Sequence, residues 1–143
     1  MQMWVDLEMF RLARLSIILV LSVVSLFAAA PQFFIQGSTS WERNRLTRME
    51  SSLNFARQPM TNTWEVIILP EDQFEKNVEM WNLDTHSAYT YLPLRQTYIN
   101  EAYLITAEDR RIRHTMAHEA GHLICECNSE QRANDIAYQL EFE

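Results

Sequence analysis

The sequence is short of cysteine and of basic residues. Its two cysteines, Cys125 and Cys127, are separated by one residue, which excludes the multi-bridge disulfide framework of small secreted domains. We expect two reduced thiols, at least one of them packed as a small hydrophobic group. Lys and Arg number 12 against 19 Asp and Glu, a net charge of −7. The chain lacks the basic face that phosphate binding requires, so nucleic acid is not an expected partner.

One long hydrophobic run lies near the N-terminus. From Leu15 to Ile35 the chain has 21 residues without a charge, and a membrane-spanning helix needs about 20. We therefore predict a single-pass membrane protein. Residues 1–36 would form an N-terminal tail and anchor, and residues 37–143 a single domain, because this length supports only one hydrophobic core.

A secretory signal peptide is the alternative interpretation of this run. Arg11 and Arg14 precede it and three alanines, residues 28–30, follow it, which is the layout of a cleavable signal. Pro31 disfavours cleavage directly after those alanines. Basic residues flank the run in nearly equal numbers on both sides, and the balance leans slightly towards a cytoplasmic domain, with export as the alternative.

Capping signals and hydrophobic periodicity divide the rest of the chain into helices and strands. Thr39 and Glu42 form a capping box for a helix, and residues 63–69, TWEVIIL, favour a strand. Pro70 predicts the start of another helix, and alternating aromatic residues in 87–105 predict a β-hairpin. Two further helices complete an α+β domain. Their predicted inward positions are Ile112, Met116, Ala120, Leu123, Ala133, Ile136, Ala137 and Leu140.

Residues 118–122 read HEAGH, which is an HExxH pattern. Residues four apart on a helix lie one above the other, so His118 and His122 can converge on one zinc ion. Glu119 would then reach the water that such a site activates rather than the ion itself. Glycine within a helix costs up to about 1 kcal/mol relative to alanine. Gly121 therefore indicates that another element approaches this helix closely.

A catalytic zinc site needs a third protein ligand and an open position. Glu130 is the best candidate, because its spacing from the inward residues of the last helix places it on the same buried face. Glu126 and Asp135 are alternatives. His114 lies one turn before His118, but three residues at i, i+4 and i+8 span about 12 Å along the helix axis, too far for one ion. We expect His114 at the rim of the site or packed.

Residues 110–124, RRIRHTMAHEAGHLI, followed by EQRANDIA from residue 130, resemble the ImmA/IrrE-type zinc metallopeptidases, a gluzincin-like family. Small membrane gluzincins of the HtpX type are a second resemblance. The resemblance implies a small zincin-like domain made of a helix, a strand, a helix, a β-hairpin, the HExxH helix and a ligand-glutamate helix. It also implies His118, His122 and Glu130 as zinc ligands and Glu119 as general base.

The function that follows is zinc-dependent hydrolysis of peptide bonds in a protein substrate. We expect residues 97–104, TYINEAYL, to offer a strand edge to an extended peptide. Stabilisation of the oxyanion stays open among His114, His86, Tyr98 and Tyr103. The alternative function is a membrane-tethered structural or sensing zinc module, completed by Cys125 or Cys127 and without hydrolytic activity.

Overall fold

The computed structural model describes residues 31–37 and 39–142. They form a four-stranded mixed sheet with five α-helices, an α+β arrangement as predicted. The strands are β1 (Gln32–Gln36), β2 (Thr63–Leu69), β3 (Ala88–Tyr91) and β4 (Gln96–Asn100). The helices are α1 (Ser40–Ser51), α2 (Glu71–Met80), α3 (Glu101–Thr106), α4 (Asp109–Cys125) and α5 (Glu130–Phe142), and a 3₁₀ turn, Leu92–Leu94, joins β3 to β4.

The strand order is β1-β2-β4-β3. β1 pairs parallel with β2 and β2 parallel with β4, whereas β3 and β4 form the antiparallel hairpin that the aromatic alternation predicted. β4 therefore lies inside the sheet, and β3 is the edge strand beside it. The expectation that residues 97–104 present a strand edge is wrong, because both sides of β4 are already paired. The C-terminal part of that segment, residues 101–104, belongs to the helix α3. The Asn100 side chain caps the N-terminus of this helix.

The two faces of the sheet carry different helices. Successive strand residues point to opposite faces, and β2 buries Trp64, Val66 and Ile68 in the main core. Helices α1, α4 and α5 complete that core, and all eight predicted inward positions of α4 and α5 are buried. On the other face, Phe74 of α2 packs against Tyr89 of β3, with ring centroids 5.4 Å apart. Thr90, the next residue of β3, therefore points to the face of the sheet that carries α4.

The buried guanidinium of Arg45 joins α1 to the start of α4. Its Nη2 donates to Asp109 Oδ1 at 2.7 Å and to the Ala107 carbonyl at 2.7 Å. Nη1 donates to the Leu104 carbonyl. Those carbonyls end α3 and lead into α4, so one side chain from the first helix holds the turn from which α4 begins.

The hydrophobic run ends differently from the prediction. Residues 32–36 form β1, in register with Thr63–Ile67 of β2, so the predicted span from Leu15 to Ile35 is wrong at its C-terminal end, and so is the boundary after residue 36. The remainder of that span, residues 15–30, lies outside the described residues. Among residues 31–37 and 39–142, no helix has the length and hydrophobicity that a membrane span requires.

Candidate metal centre

The two histidines of the HExxH pattern lie on one face of α4. Their rings are 4.8 Å apart, and the two Nε2 atoms approach to 3.1 Å. Helical spacing explains the alignment, since Cβ atoms four residues apart are neighbours on a helix surface. The pair therefore presents two nitrogen atoms to one point in space, as the sequence predicts.

Glu130, the first residue of α5, brings a carboxylate to the same point. Its Oε2 lies 3.0 Å from Nε2 of His118, and its Oε1 lies 3.4 Å from Nε2 of His122. The predicted convergence of these three side chains is present. The predicted burial of Glu130 is not, because its side chain is 74% exposed. It begins the helix at the mouth of the site, and only the following turns of α5 enter the core.

Hydrogen bonds fix which nitrogen of each ring faces the cluster. Nδ1 of His122 donates to the Cys127 carbonyl at 2.9 Å, and Nδ1 of His118 donates to Asn134 Oδ1 at 2.8 Å. A neutral imidazole has one donor and one acceptor nitrogen. When both rings are neutral, each presents the lone pair of Nε2 towards the other ring and towards Glu130, and a metal ion bound between these donor atoms would relieve the repulsion among them.

The donor set fits a zinc ion. Ligand bonds of about 2.0 to 2.1 Å in tetrahedral geometry separate neighbouring donor atoms by about 3.3 Å, and the three separations here are 3.1, 3.0 and 3.4 Å. Two imidazoles and one carboxylate leave a fourth position free, as catalytic zinc sites do. Hydrogen bonds to the outer nitrogen of ligand histidines are also typical of such sites.

Close packing of α5 on α4 at Gly121 makes this geometry possible. A Cβ atom at Gly121 would lie 2.5 Å from the carbonyl oxygen of Ala133 and 2.9 Å from its Cα. Only a residue without a side chain permits that approach. The close neighbour predicted from the glycine is therefore the backbone of the helix that carries Glu130.

Glu119 lies buried beside the cluster, on the side of the sheet. Its Oε2 accepts a hydrogen bond from Thr90 Oγ1 at 2.7 Å. Burial raises the pKa of the Glu119 carboxyl above its ordinary value of 4.5, and the nearby Glu130 raises it further, whereas the Thr90 hydrogen bond and the two histidines lower it. A carboxyl whose proton affinity is increased by burial is suited to accept and return a proton.

A cavity of about 470 Å³ opens onto these residues. Its lining includes the three cluster residues, Glu119, Thr90 and His114. A second cavity of about 660 Å³ adjoins it through shared residues, among them His114 and Thr115. The two cavities thus adjoin each other along α4 at His114 and Thr115.

Other predicted residues take different positions. His114 is at the rim, as expected, where its Nδ1 lies 2.8 Å from Glu141 Oε2. Tyr103 lines the neighbouring cavity and shares a hydrogen bond with Thr115 at 2.8 Å. Tyr98 stacks on Tyr89 on the opposite face of the sheet and donates to Gln96. Tyr98 therefore lies on the wrong face of the sheet to contact a substrate at this site. His86 lines the second cavity.

The alternative ligands are occupied elsewhere. Glu126 ends α4 in the left-handed conformation, with φ at 51°, and lies 3.7 Å from Arg95. Asp135 accepts a hydrogen bond from Gln131 on the outer surface of α5.

Cys125 and Cys127 form a disulfide with each other. The prediction of two reduced thiols is wrong, since one intervening residue in the left-handed conformation brings their Cα atoms to 5.2 Å.

Three supporting groups were missed from the sequence. Asn134 follows Glu130 by four residues, so helical spacing alone could have placed it beside the site. The Cys127 carbonyl and Thr90 give no such signal, because their contacts depend on the turn after α4 and on the docking of β3.

No protein-family model, curated protein or solved structure matches the chain. Functional assignment therefore depends on the arrangement of these residues.

Proposed function

We propose that the protein is a zinc-dependent metallopeptidase that hydrolyses peptide bonds of a protein substrate. The observation that carries the proposal is the convergence of two histidines and one glutamate, at separations that fit a zinc ion, with a buried carboxylate beside them at an open cavity. The motif that resembles ImmA/IrrE-type peptidases supports the same conclusion, and so does an α+β domain in which the HExxH helix is followed directly by the helix that begins at Glu130.

His118, His122 and Glu130 would hold the ion. When bound there, zinc would lower the pKa of a water molecule and polarise the scissile carbonyl. Glu119 then accepts a proton from the attacking water as the oxygen–carbon bond forms. The same carboxyl returns that proton to the leaving amine as the carbon–nitrogen bond breaks, which regenerates the carboxylate. The buried setting of Glu119 keeps bulk water from competing for its proton.

The edge strand β3 is suited to bind an extended substrate. Asn100 N donates to the Ser87 carbonyl at 2.9 Å, which makes this a hydrogen-bonded pair of the antiparallel hairpin. Such pairs alternate along the strand, so Ala88 and Thr90 direct their backbone groups away from β4. A peptide added to that side would gain main-chain hydrogen bonds and would pass the residue that contacts Glu119.

The alternative of a structural zinc module has less support. Its suggested thiolate ligands, Cys125 and Cys127, are both held in the disulfide. It also gives no role to Glu119. Burial of a charged carboxylate is unfavourable, so a role in catalysis would explain why one is present here. X-ray absorption would separate the two functions, because a sulfur neighbour near 2.3 Å would support the module and a shell of nitrogen and oxygen the peptidase.

We further propose that the domain lies in an oxidising compartment, either anchored through the run that begins at Leu15 or released by cleavage after residues 28–30. A disulfide is rare in the reducing cytosol, and this observation favours export over the cytoplasmic orientation. Thiol labelling of intact cells tests it. Cells would be quenched with acid to preserve the thiol state of the protein before labelling. Free thiols at Cys125 and Cys127 in that sample would contradict this location.

The decisive test of the peptidase compares the full-length chain with Glu119→Gln and His118→Ala variants. All three would be assayed for bound zinc and for cleavage of a randomised library of internally quenched peptides. We expect Glu119→Gln to keep zinc and lose cleavage, because the ligands remain but the base is absent. His118→Ala should lose both. Cleavage by Glu119→Gln at the wild-type rate would refute the proposal.

A further inference from the structure

A chain of hydrogen bonds runs from the core of the sheet to the general base. The indole Nε1 of Trp64 donates to Thr97 Oγ1 at 2.9 Å, the hydroxyls of Thr97 and Thr90 are 2.8 Å apart, and Thr90 donates to Glu119 Oε2 at 2.7 Å. Trp64 and Thr97 are fully buried. The chain therefore connects three strands, β2, β4 and β3, to one carboxylate oxygen without access to solvent at its inner end.

The direction of this chain is determined by its two ends. An indole nitrogen can only donate, and an ionised carboxylate can only accept. The hydroxyl hydrogen of Thr90 is used on Glu119, so the bond between the two threonines must be donated by Thr97. Each hydroxyl therefore accepts one bond from the sheet side and donates one towards the site, and every hydrogen in the chain has a partner.

We infer that Thr90 is a positioning residue for catalysis, held in one hydrogen-bonding direction by Thr97 and Trp64. By occupying Oε2 of Glu119, it leaves Oε1 as the oxygen that receives the proton of the attacking water. The carboxylate is thereby kept in one rotamer next to the cluster, although it is not itself a ligand. This inference rests on the proposed peptidase function and assigns a role to residues of the sheet that are not candidate metal ligands.

Reversal of the chain would leave a buried donor without an acceptor. If Thr90 accepted a hydrogen bond from Glu119, either its own hydroxyl hydrogen or that of Thr97 would lose its partner, and an unsatisfied buried donor is unfavourable. The indole N–H of Trp64 thus fixes the direction of both hydroxyl hydrogen bonds, so that Thr90 donates to the Glu119 carboxylate. A valine in place of Thr90 keeps the shape and the strand preference of the side chain but removes the link.

The kinetic test uses full-length Thr90→Val and Thr90→Ser, with wild type and Glu119→Gln, on the best peptide from the quenched library. We expect Thr90→Val to lower kcat roughly tenfold to a hundredfold, with KM and bound zinc unchanged, and Thr90→Ser to restore most of kcat. A wild-type kcat in Thr90→Val, an equal defect in Thr90→Ser, or a defect explained by zinc loss would each overturn the inference. Should Thr90→Val not fold, Thr90→Ala gives the same comparison.

A spectroscopic test does not depend on activity. In zinc-free protein, the indole ¹H–¹⁵N signal of Trp64, assigned with Trp64→Phe, should shift when Glu119 is replaced by Gln, since the hydroxyl chain transmits the lost charge. In the Thr90→Val background, the same replacement should leave that signal in place. A shift of equal size in both backgrounds would exclude the chain. Because this result is independent of cleavage, it tests the hydrogen-bond chain separately: an inactive wild type would refute the peptidase and the catalytic role of Thr90, whereas equal shifts would refute the chain itself.

Discussion

Replacement of Gly121 by alanine tests whether helix packing sets the metal geometry. The new Cβ atom would lie 2.5 Å from the Ala133 carbonyl oxygen, whereas ordinary contact begins at 3.4 Å, so α5 must withdraw by about 0.9 Å. The three nearest atoms, the carbonyl oxygen, Cα and carbonyl carbon of Ala133, all belong to the backbone, so no rotamer change can relieve the contact. Glu130 precedes Ala133 by less than one helical turn and would move with it. Metal–ligand distances tolerate only about ±0.2 Å.

The expected result is a loss of zinc affinity together with a modest loss of stability. We expect zinc binding to weaken about 10- to 100-fold, the range seen when groups supporting a zinc site are disturbed. Overpacking costs about 1–3 kcal/mol, and the better helix propensity of alanine offsets up to about 1 kcal/mol. The free energy of unfolding of the zinc-free protein should therefore fall by about 2 kcal/mol or less.

Chelator competition measures the affinity, and urea unfolding of the zinc-free protein measures the stability. Gly37→Ala is the matched control, because its Cβ would meet the terminal Cδ1 of Ile68 at 2.6 Å, a flexible end that can move aside. The control should bind zinc as wild type does. If Gly121→Ala also bound zinc with wild-type affinity, the close approach of α5 would not be what positions Glu130.

Three further predictions follow from the contacts. Asn134→Leu removes the partner of His118 Nδ1 and should weaken zinc binding about 10- to 100-fold, with unchanged affinity in chelator competition as the contrary result. Arg45→Ala leaves buried carbonyls unsatisfied and should lower the free energy of unfolding by about 3 kcal/mol; a loss below about 1 kcal/mol in urea would contradict this. In metal-free protein, the raised pKa of Glu119 gives stability that is complete below pH 4.5 and is lost as pH rises through the raised value. Glu119→Gln should remove that part of the pH dependence of unfolding, and an unaltered profile would refute it.

Local patterns in the sequence predicted the helical part of the site. The capping box at Thr39, the strand at residues 63–69 and the inward faces of α4 and α5 are confirmed, because each depends on residues within one element. The HExxH spacing and Glu130 were likewise accessible, since both helices belong to one hairpin. These elements needed no knowledge of the sheet.

Features that depend on distant partners were missed. Residues 32–36 are apolar enough to continue a membrane span, and only pairing with β2 shows them to be a strand. The aromatic alternation continued past Asn100, whose side chain instead caps α3. Thr90 resembles any strand threonine until β3 is placed over α4. The disulfide required the backbone conformation of Glu126, which periodicity does not specify.

The residues that would hold the ion all lie between 118 and 130, whereas Thr90, the hydrogen-bond partner of Glu119, is 29 residues earlier in the chain than Glu119. Contacts close in sequence form early in folding, so we expect the α4–α5 hairpin to be able to capture zinc before the sheet is assembled. Full activity of the proposed peptidase would come only when β3 docks and brings Thr90 to Glu119. If the proposed function is correct, a newly synthesised chain would bind zinc before it reaches full activity, and the docking of β3 would be the activating step.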